Sequence, residues 1–309
     1  MSQGLYTAWY PYRTNQQGPS LHDLLKVLNE PYQYNLNQQE QFYLSYRTFK
    51  TTGFKKADVS NLILNINNRC SIALALHSNY FILFYNVSKE DEYLFKGKRK
   101  RLVEQLRLKG IKNERVLDAI EKIPRHLFFD PTTGRPALLD HAYSDKALPI
   151  GAGQTISHPY TVAFQTEQLQ LKQGEKILEI GTGCGYQTAV LLEMGAKVYS
   201  IERQKTLFDK TKLFLPYIGY GSAKLIYGDG YKGLPQFAPF DKIIVTAGAP
   251  YIPNDLLSQL KVGGIMLIPL GEGDTQEMIW LKKISESNFD KKILGNFKFV
   301  PLLQNKSGN

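Results

Sequence analysis

From residue 159 onward the chain alternates between two hydrophobic periods. Short continuous apolar runs, KILEI at 176–180, KVYSI at 197–201, AKLIY at 223–227, DKIIVT at 241–246 and GIMLIPL at 264–270, read as strands buried on both faces. Between them, apolar residues recur at helical spacing over Pro159 to Leu169, Tyr186 to Met194, Gln204 to Leu215 and Asn254 to Leu260. Strands and amphipathic helices taking turns argue for a parallel sheet covered on both sides. EMIWLKKI at 277–284 and FKFVPLL at 297–303 follow with little helix between them, which predicts closing strands and an antiparallel edge. The expected fold is α/β, a doubly wound and mostly parallel seven-stranded sheet.

Upstream, RKRLVEQLRLKG places Leu102, Val103, Leu106 and Leu108 near one helix face and ends at Gly110. NERVLDAIEKIP repeats the pattern from Asn113 to a stop at Pro124. The first 90 residues differ in texture, with many aromatics set among Asn and Gln. They hold one plausible helix, SLHDLLKVLNE, capped by Ser20 and stopped by Pro31, and an apolar stretch, NLILNINNRCSIALALHSNYFILFY, that predicts two or three strands. The organisation is therefore an N-terminal extension of unknown role over residues 1–90 and a main domain, led by two helices, over 91–309. An added domain for targeting or partner binding and a poorly ordered segment are both open readings of the extension.

Composition narrows the class without naming a chemistry. With 309 residues and 43% hydrophobic content the chain can bury a sizeable core. It has no run of about 18 uninterrupted apolar residues and no basic-then-apolar leader, so a cytoplasmic protein without a membrane partner is expected. Its 2 cysteines, Cys70 and Cys184, fit neither a metal knuckle nor a disulfide framework, and His126 and His141 lack ligand spacing; no metal is expected. The net charge of +10 is concentrated in KGKRKRLVEQLRLKGIK, residues 96–112, where 8 basic residues face Glu104 alone. A solvated helix face explains that run better than a nucleic-acid site does, because no base-reading motif accompanies it. A monomer is expected.

The chemistry concentrates in EKILEIGTGCGYQTAVLLEMG, residues 175–195. A strand ends at an acid, and Gly181, Gly183 and Gly185 then bracket Thr182 in the first strand-to-helix turn, the favoured cradle of such a sheet. Side chains there would block close approach of the backbone to a ligand. The spacing departs from the G-x-G-x-x-G of pyrophosphate sites, and Glu179, two residues before the first glycine, suits a cation instead. The next strand ends in Glu202, placed to take both hydroxyls of a ribose, and the third runs into YGDG, where Asp229 would accept from an adenine amine beside Gly230. Acids at three successive strand ends describe a positively charged adenosine ligand, and S-adenosyl-L-methionine fits that description.

The segment before this core, LPIGAGQTISHPYTVA, together with LEIGTGCGYQTAVL, SIER, the GDG turn, APFDKIIVTAGAP, LKVGGIMLIPLG and FVPLL, resembles the protein-L-isoaspartate O-methyltransferase family over about residues 92–303. The resemblance implies a methyltransferase fold with exchanged final strands and, as substrate, isoaspartyl-containing proteins and peptides. It points to Ser157 as the active-site serine, with Thr155, Ile156 and His158 beside it and Val300 and Pro301 bordering a peptide groove. The family's chemistry implies that the methyl ester leaves and cyclises to a succinimide, whose hydrolysis returns some normal aspartate. The nucleophile would be a carboxylate with a pKa of roughly 3 to 4, ionised at neutral pH, so the serine would position it rather than activate it. By residue pattern alone, Ser157 reads better as a cap for the helix that begins at Pro159. Two rival functions are an RNA methyltransferase using the basic stretch and a non-catalytic sensor of the cofactor.

Overall fold

The computed structural model describes four strands within residues 5–86 and, beyond them, residues 89–129 and 140–307, with side chains from residue 93 onward. The chain forms two compact units, Met1–Gly97 with Asp130–Asp140, and Lys98–Phe129 with His141–Asn309.

In the first unit, β1 (Leu5–Pro11), β2 (Leu62–Ile66), β3 (Cys70–His77) and β4 (Tyr80–Asn86) form an antiparallel sheet in the order β1-β4-β3-β2. The register sets Leu74 opposite Leu62 on one side and Leu83 on the other, so the apolar rows of the three central segments align. The apolar stretch thus yields three strands, and β1 joins them from a segment whose pattern did not announce it. The helix expected over Ser20 to Glu30 lies outside the described residues.

The second unit begins at Lys98, within α1 (Lys89–Leu108), and continues into α2 (Glu114–Lys122). Leu102, Val103 and Leu106 of α1 are buried, whereas Leu108 is 87% exposed. Two residues past Leu106 is about 200° around the helix, which turns Leu108 off the buried face. Asn113 caps α2, its Oδ1 accepting from the Arg115 amide at 3.1 Å.

The main sheet comprises β7 (Lys176–Ile180), β8 (Lys197–Glu202), β9 (Lys224–Tyr227), β10 (Phe240–Val245), β11 (Leu260–Leu270), β12 (Gln276–Lys283) and β13 (Phe289–Phe297) in the order β13-β12-β11-β10-β7-β8-β9. β9, β8, β7, β10 and β11 are mutually parallel, and β12 runs antiparallel to both its neighbours. Helices α3 (Pro159–Gln168), α4 (Tyr186–Glu193), α5 (Lys205–Tyr217) and α6 (Asn254–Gln259) provide the crossovers and cover. The order reverses at β7 and β10, whose centres, Ile177, Leu178, Ile243 and Ile244, have no solvent exposure. A ligand site is expected just beyond their carboxyl ends.

Two features depart from the sequence pattern. The last strand is the polar run FDKKILGNF, and FKFVPLL starts only where that strand stops. An edge strand with one exposed face tolerates lysines, while Pro301 lacks the N–H that a ladder needs. Residues 298–303 instead run extended past Gly248, whose amide donates to Val300 O at 2.8 Å and whose carbonyl accepts from Leu302 N at 2.7 Å. The second departure is a small hairpin, β5 (Leu148–Gly151) and β6 (Gln154–Ile156). Its turn holds Ala152 and Gly153 at φ of 51° and 67°, the left-handed pair that matches strand twist.

Among the described residues, no helix is long and apolar enough to cross a membrane, and no cluster of His, Cys, Asp and Glu has the makings of a metal site.

Candidate active site

At the carboxyl ends of β7, β8 and β10 lies a cleft with an empty volume of about 830 Å³. The cleft is open to solvent, and that volume includes its mouth. Its lining comes from the glycine turn, the end of β8, the β5–β6 hairpin, Ser157 and the segment Val300–Leu303.

The turn between β7 and α4 is built by backbone bonds that need no side chains. The amides of Gly181 and Thr182 both donate to Ile201 O, at 2.9 and 3.1 Å, and the Thr182 and Ser200 hydroxyls lie 2.6 Å apart. Gly181 has φ of 98°, and a Cβ on it would come within 2.5 Å of Thr246 Oγ1. At Gly183, with φ of 55°, a Cβ would be aimed at Ile150 Cδ1 at 3.3 Å, across the cleft. Bare backbone is therefore what the turn presents to a ligand, while Gly185 begins α4 and packs against Thr211 and Leu215 behind it.

Glu202 closes the same wall. It is 5% exposed; Oε2 accepts from the Gly183 amide at 2.8 Å and Oε1 from the Gln204 amide at 2.7 Å. Each carboxylate oxygen keeps a second acceptor site, so a vicinal diol has two partners. Burial raises the pKa of Glu202, and these backbone bonds oppose the rise. Replacing Glu202 with glutamine would put an NH2 against one of two N–H donors. We expect S-adenosylhomocysteine affinity, measured by calorimetry, to fall about tenfold or more, since an unmatched buried donor costs about 1 to 3 kcal/mol.

Two of the acids read as ligand contacts do other work. Glu179 has no solvent exposure and is absent from the cleft wall; its carboxylate points to α4 and accepts from the Thr188 hydroxyl. Burial raises its pKa to about 7, so it is a support beneath the turn and not a fixed negative charge facing a cation. Asp229 likewise stands outside the wall. Its Oδ1 accepts from Tyr231 N at 3.0 Å and its Oδ2 from Asn305 N at 2.9 Å, capping a 3-10 turn and tying down the C-terminal segment. Gly230, next to it, does line the cleft.

Thr155, Ile156, Ser157, Val300 and Pro301 all line the cleft. His158 does not; it occupies the N-cap position of α3, and its Nδ1 faces Asp145 O at 3.1 Å, which places the proton on that nitrogen. No side chain at the cap position bonds the first turn of α3. The Tyr160 amide is taken instead by Asp145 Oδ1 at 2.8 Å. Ser157 is thus not consumed as a helix cap, and it remains half-buried on the cleft wall.

The cleft also recruits residues the sequence pattern did not flag. Thr246, at the end of β10, has its hydroxyl 2.8 Å from Gly181 O and 2.9 Å from Ile180 O. Gln187, in the first turn of α4, donates from Nε2 to Thr166 Oγ1 at 3.0 Å and keeps its buried Oε1 without a partner. Both occupy positions that topology marks, a strand end at the switch point and a helix start after the glycine turn, without a distinctive residue type. Cys184 is on the wall, but burial pushes its thiol up to about 11, which makes it a poor nucleophile at neutral pH. Phe128 and Phe129 are core residues, and His126 is buried against Tyr143.

Bare backbone along the cleft, a two-acceptor acid at one end and apolar Ile180 and Ile201 between them fit an adenosine-bearing group such as S-adenosylmethionine. The comparisons with known proteins agree. The family model described as protein-L-isoaspartate(D-aspartate) O-methyltransferase matches residues 97–307. The chain is 59% identical over 218 residues to a protein-L-isoaspartate O-methyltransferase of Christiangramia forsetii, covering 71% of this chain and 100% of that protein. It is 50% identical over 208 residues to one of Dictyoglomus turgidum, covering 67% and 92%. A solved protein-L-isoaspartate O-methyltransferase superposes with a TM-score of 0.61 at 29% identity, covering 67% of this chain and 66% of that one. A structure from Plasmodium falciparum described as a PCMT, in complex with S-adenosyl-L-homocysteine, gives 0.58 at 25% identity, covering 67% and 99%. The chain belongs to the protein-L-isoaspartate(D-aspartate) O-methyltransferase family.

Proposed function

We propose that the chain, as a cytoplasmic monomer, transfers a methyl group from S-adenosylmethionine to the free α-carboxylate of L-isoaspartyl residues in damaged proteins and peptides. The observation that supports this reading is that Ser157 and Thr155 line the same cleft as the glycine turn and Glu202.

When bound, S-adenosylmethionine supplies an electrophilic methyl group. Gly181, Thr182, Gly183 and Glu202 are the residues that would hold it, with Gly230 and Thr246 at the strand ends. The acceptor carboxylate is ionised at neutral pH, with a pKa of roughly 3 to 4, so no strong base is required. Neither His158 nor Glu179 is among the residues that line the cleft, and Glu179 is shut beneath the turn. What the chain supplies is orientation. The Ser157 hydroxyl donates one hydrogen bond to a carboxylate oxygen, holding it without neutralising it, and the exposed Thr155 lies on the same stretch of β6. Placement of two reactants in this way is worth about 7 to 11 kcal/mol of a bimolecular barrier. The ester product then leaves and cyclises to a succinimide without further help from the protein.

The reading assigns catalysis to residues 91–309 and leaves 1–90 as an addition to the catalytic domain, supported by a family match that begins at residue 97. It is tested by methyl transfer from labelled S-adenosylmethionine to a synthetic isoaspartyl peptide beside the same peptide with normal aspartate. Transfer to the first alone is expected. Equal transfer to both, or none to either with cofactor binding intact, overturns the substrate assignment.

A further inference from the structure

Arg125 is the largest side chain in the unit with no solvent exposure, and nothing in the reaction described above uses it. It opens the 3-10 turn Arg125–Phe128 that follows α2. Its guanidinium is spread over three carbonyl groups: Nε donates to Ala142 O at 2.9 Å, and Nη2 to Lys146 O at 3.2 Å and to Ser157 O at 2.9 Å. The faces of Tyr186 and Phe129 cover it, with ring centroids 4.8 and 5.6 Å from Cζ. Nη1 is buried without a hydrogen-bond partner, and among the described residues no carboxylate forms an ion pair with the group.

A buried cation without an ion-pair partner is costly, and burial lowers its pKa, with Tyr186 and, more weakly, Asp145 acting the other way; even so, a guanidinium keeps its proton in proteins. Stability alone favours an apolar residue in such a place. The arginine joins the segment before the hairpin, at Ala142 and Lys146, to the main chain of Ser157, on the cleft wall where an anion is to be held. We infer that Arg125 is a positioning residue for the substrate carboxylate, fixing the Ser157 main chain through its carbonyl and supplying from behind it the positive charge that an incoming anion balances. This rests on the isoaspartyl reading for the identity of the anion, and on the observed bonds alone for the fixing of Ser157.

Two variants separate the roles. Arg125→Lys keeps the charge but concentrates its donors at one point, and Arg125→Met loses both charge and fork. We expect kcat/KM for the isoaspartyl peptide to fall about tenfold in the first and about a hundredfold in the second, with the Kd of S-adenosylhomocysteine unchanged to within about threefold in each. Hydrogen exchange should quicken at amides 142–158 in both variants and stay at wild-type rates in the main sheet. Affinity for S-adenosylhomocysteine lost in parallel with activity would reveal a merely structural arginine and overturn the inference, as would wild-type exchange over 142–158 in Arg125→Lys. If the wild type fails to methylate the isoaspartyl peptide, the carboxylate role falls with the functional reading, and the exchange rates still decide whether Arg125 fixes Ser157.

Discussion

Replacing Ser157 with alanine is expected to lower kcat/KM for an isoaspartyl peptide by about a hundredfold and to leave the affinity for S-adenosylhomocysteine within about threefold of wild type. The size follows from what is lost. One hydrogen bond to a charged oxygen contributes about 1.5 to 3 kcal/mol, and a carboxylate free to swing out of line with the methyl carbon forfeits much of the orientation that replaces a base here. The selectivity follows from geometry. Ser157 and the glycine turn line one cleft, and among the described residues no hydrogen bond joins the Ser157 side chain to the turn. Its hydroxyl caps no helix, because Asp145 serves the Tyr160 amide, so the alanine leaves α3 anchored. Steady-state kinetics with the peptide varied, beside calorimetric titration of S-adenosylhomocysteine, give both quantities. A variant within a few-fold of wild type in kcat/KM removes Ser157 from the reaction; one that loses both quantities makes it a structural residue.

The fold could be read from the chain almost strand by strand because burial on both faces leaves a plain mark: residues 177–180 and 242–245 are buried throughout, with partly exposed polar residues only at the ends of KILEI and DKIIVT. Legibility failed where a strand is only half buried. FDKKILGNF is an outer strand whose exposed lysines mask its period, and the more apolar FKFVPLL attracted the assignment although Pro301 cannot sustain a ladder. The β5–β6 hairpin was hidden for a related reason, being too short for a period to register, although the Gly-Ala-Gly between LPI and QTI was the available turn signal. In the site, what could be read was where ligand-facing backbone lies; what could not was which way an acid at a strand end points. Glu202 turns into the cleft, Glu179 turns under it toward Thr188, and Asp229 stands outside the cleft lining, bonded to the amides of Tyr231 and Asn305. Those choices depend on partners supplied from far along the chain. The same limit hid Arg125, an ordinary residue in PRHLF until its three carbonyl partners, 17 to 32 residues downstream, are placed around it.

Glu179 offers the second large effect, and its sign can be worked out. Its pKa is raised from the ordinary glutamate value of 4.5 to about 7, chiefly by burial, with a smaller push from the nearby Glu202 and opposition from the Thr188 hydroxyl. Below the lower value both the folded and unfolded chains hold the proton, and its contribution to stability is complete. Between the two values the unfolded chain releases the proton while the folded chain keeps it, so stability falls as pH rises and levels off above about 7. The linked loss amounts to roughly 3 kcal/mol at the level of about 1.4 kcal/mol per pKa unit. Glu179→Gln removes this titration while keeping an oxygen able to accept from Thr188. Urea melts of wild type and variant from pH 5 to pH 8.5 should therefore diverge, the variant gaining on the wild type up to about pH 7 and keeping a constant lead above it. Because every other titrating group is shared, the difference between the two curves isolates Glu179. Parallel curves across that window would mean that the acid is already ionised in the folded chain at low pH, held by polar neighbours, and that the glycine turn rests on a charge after all.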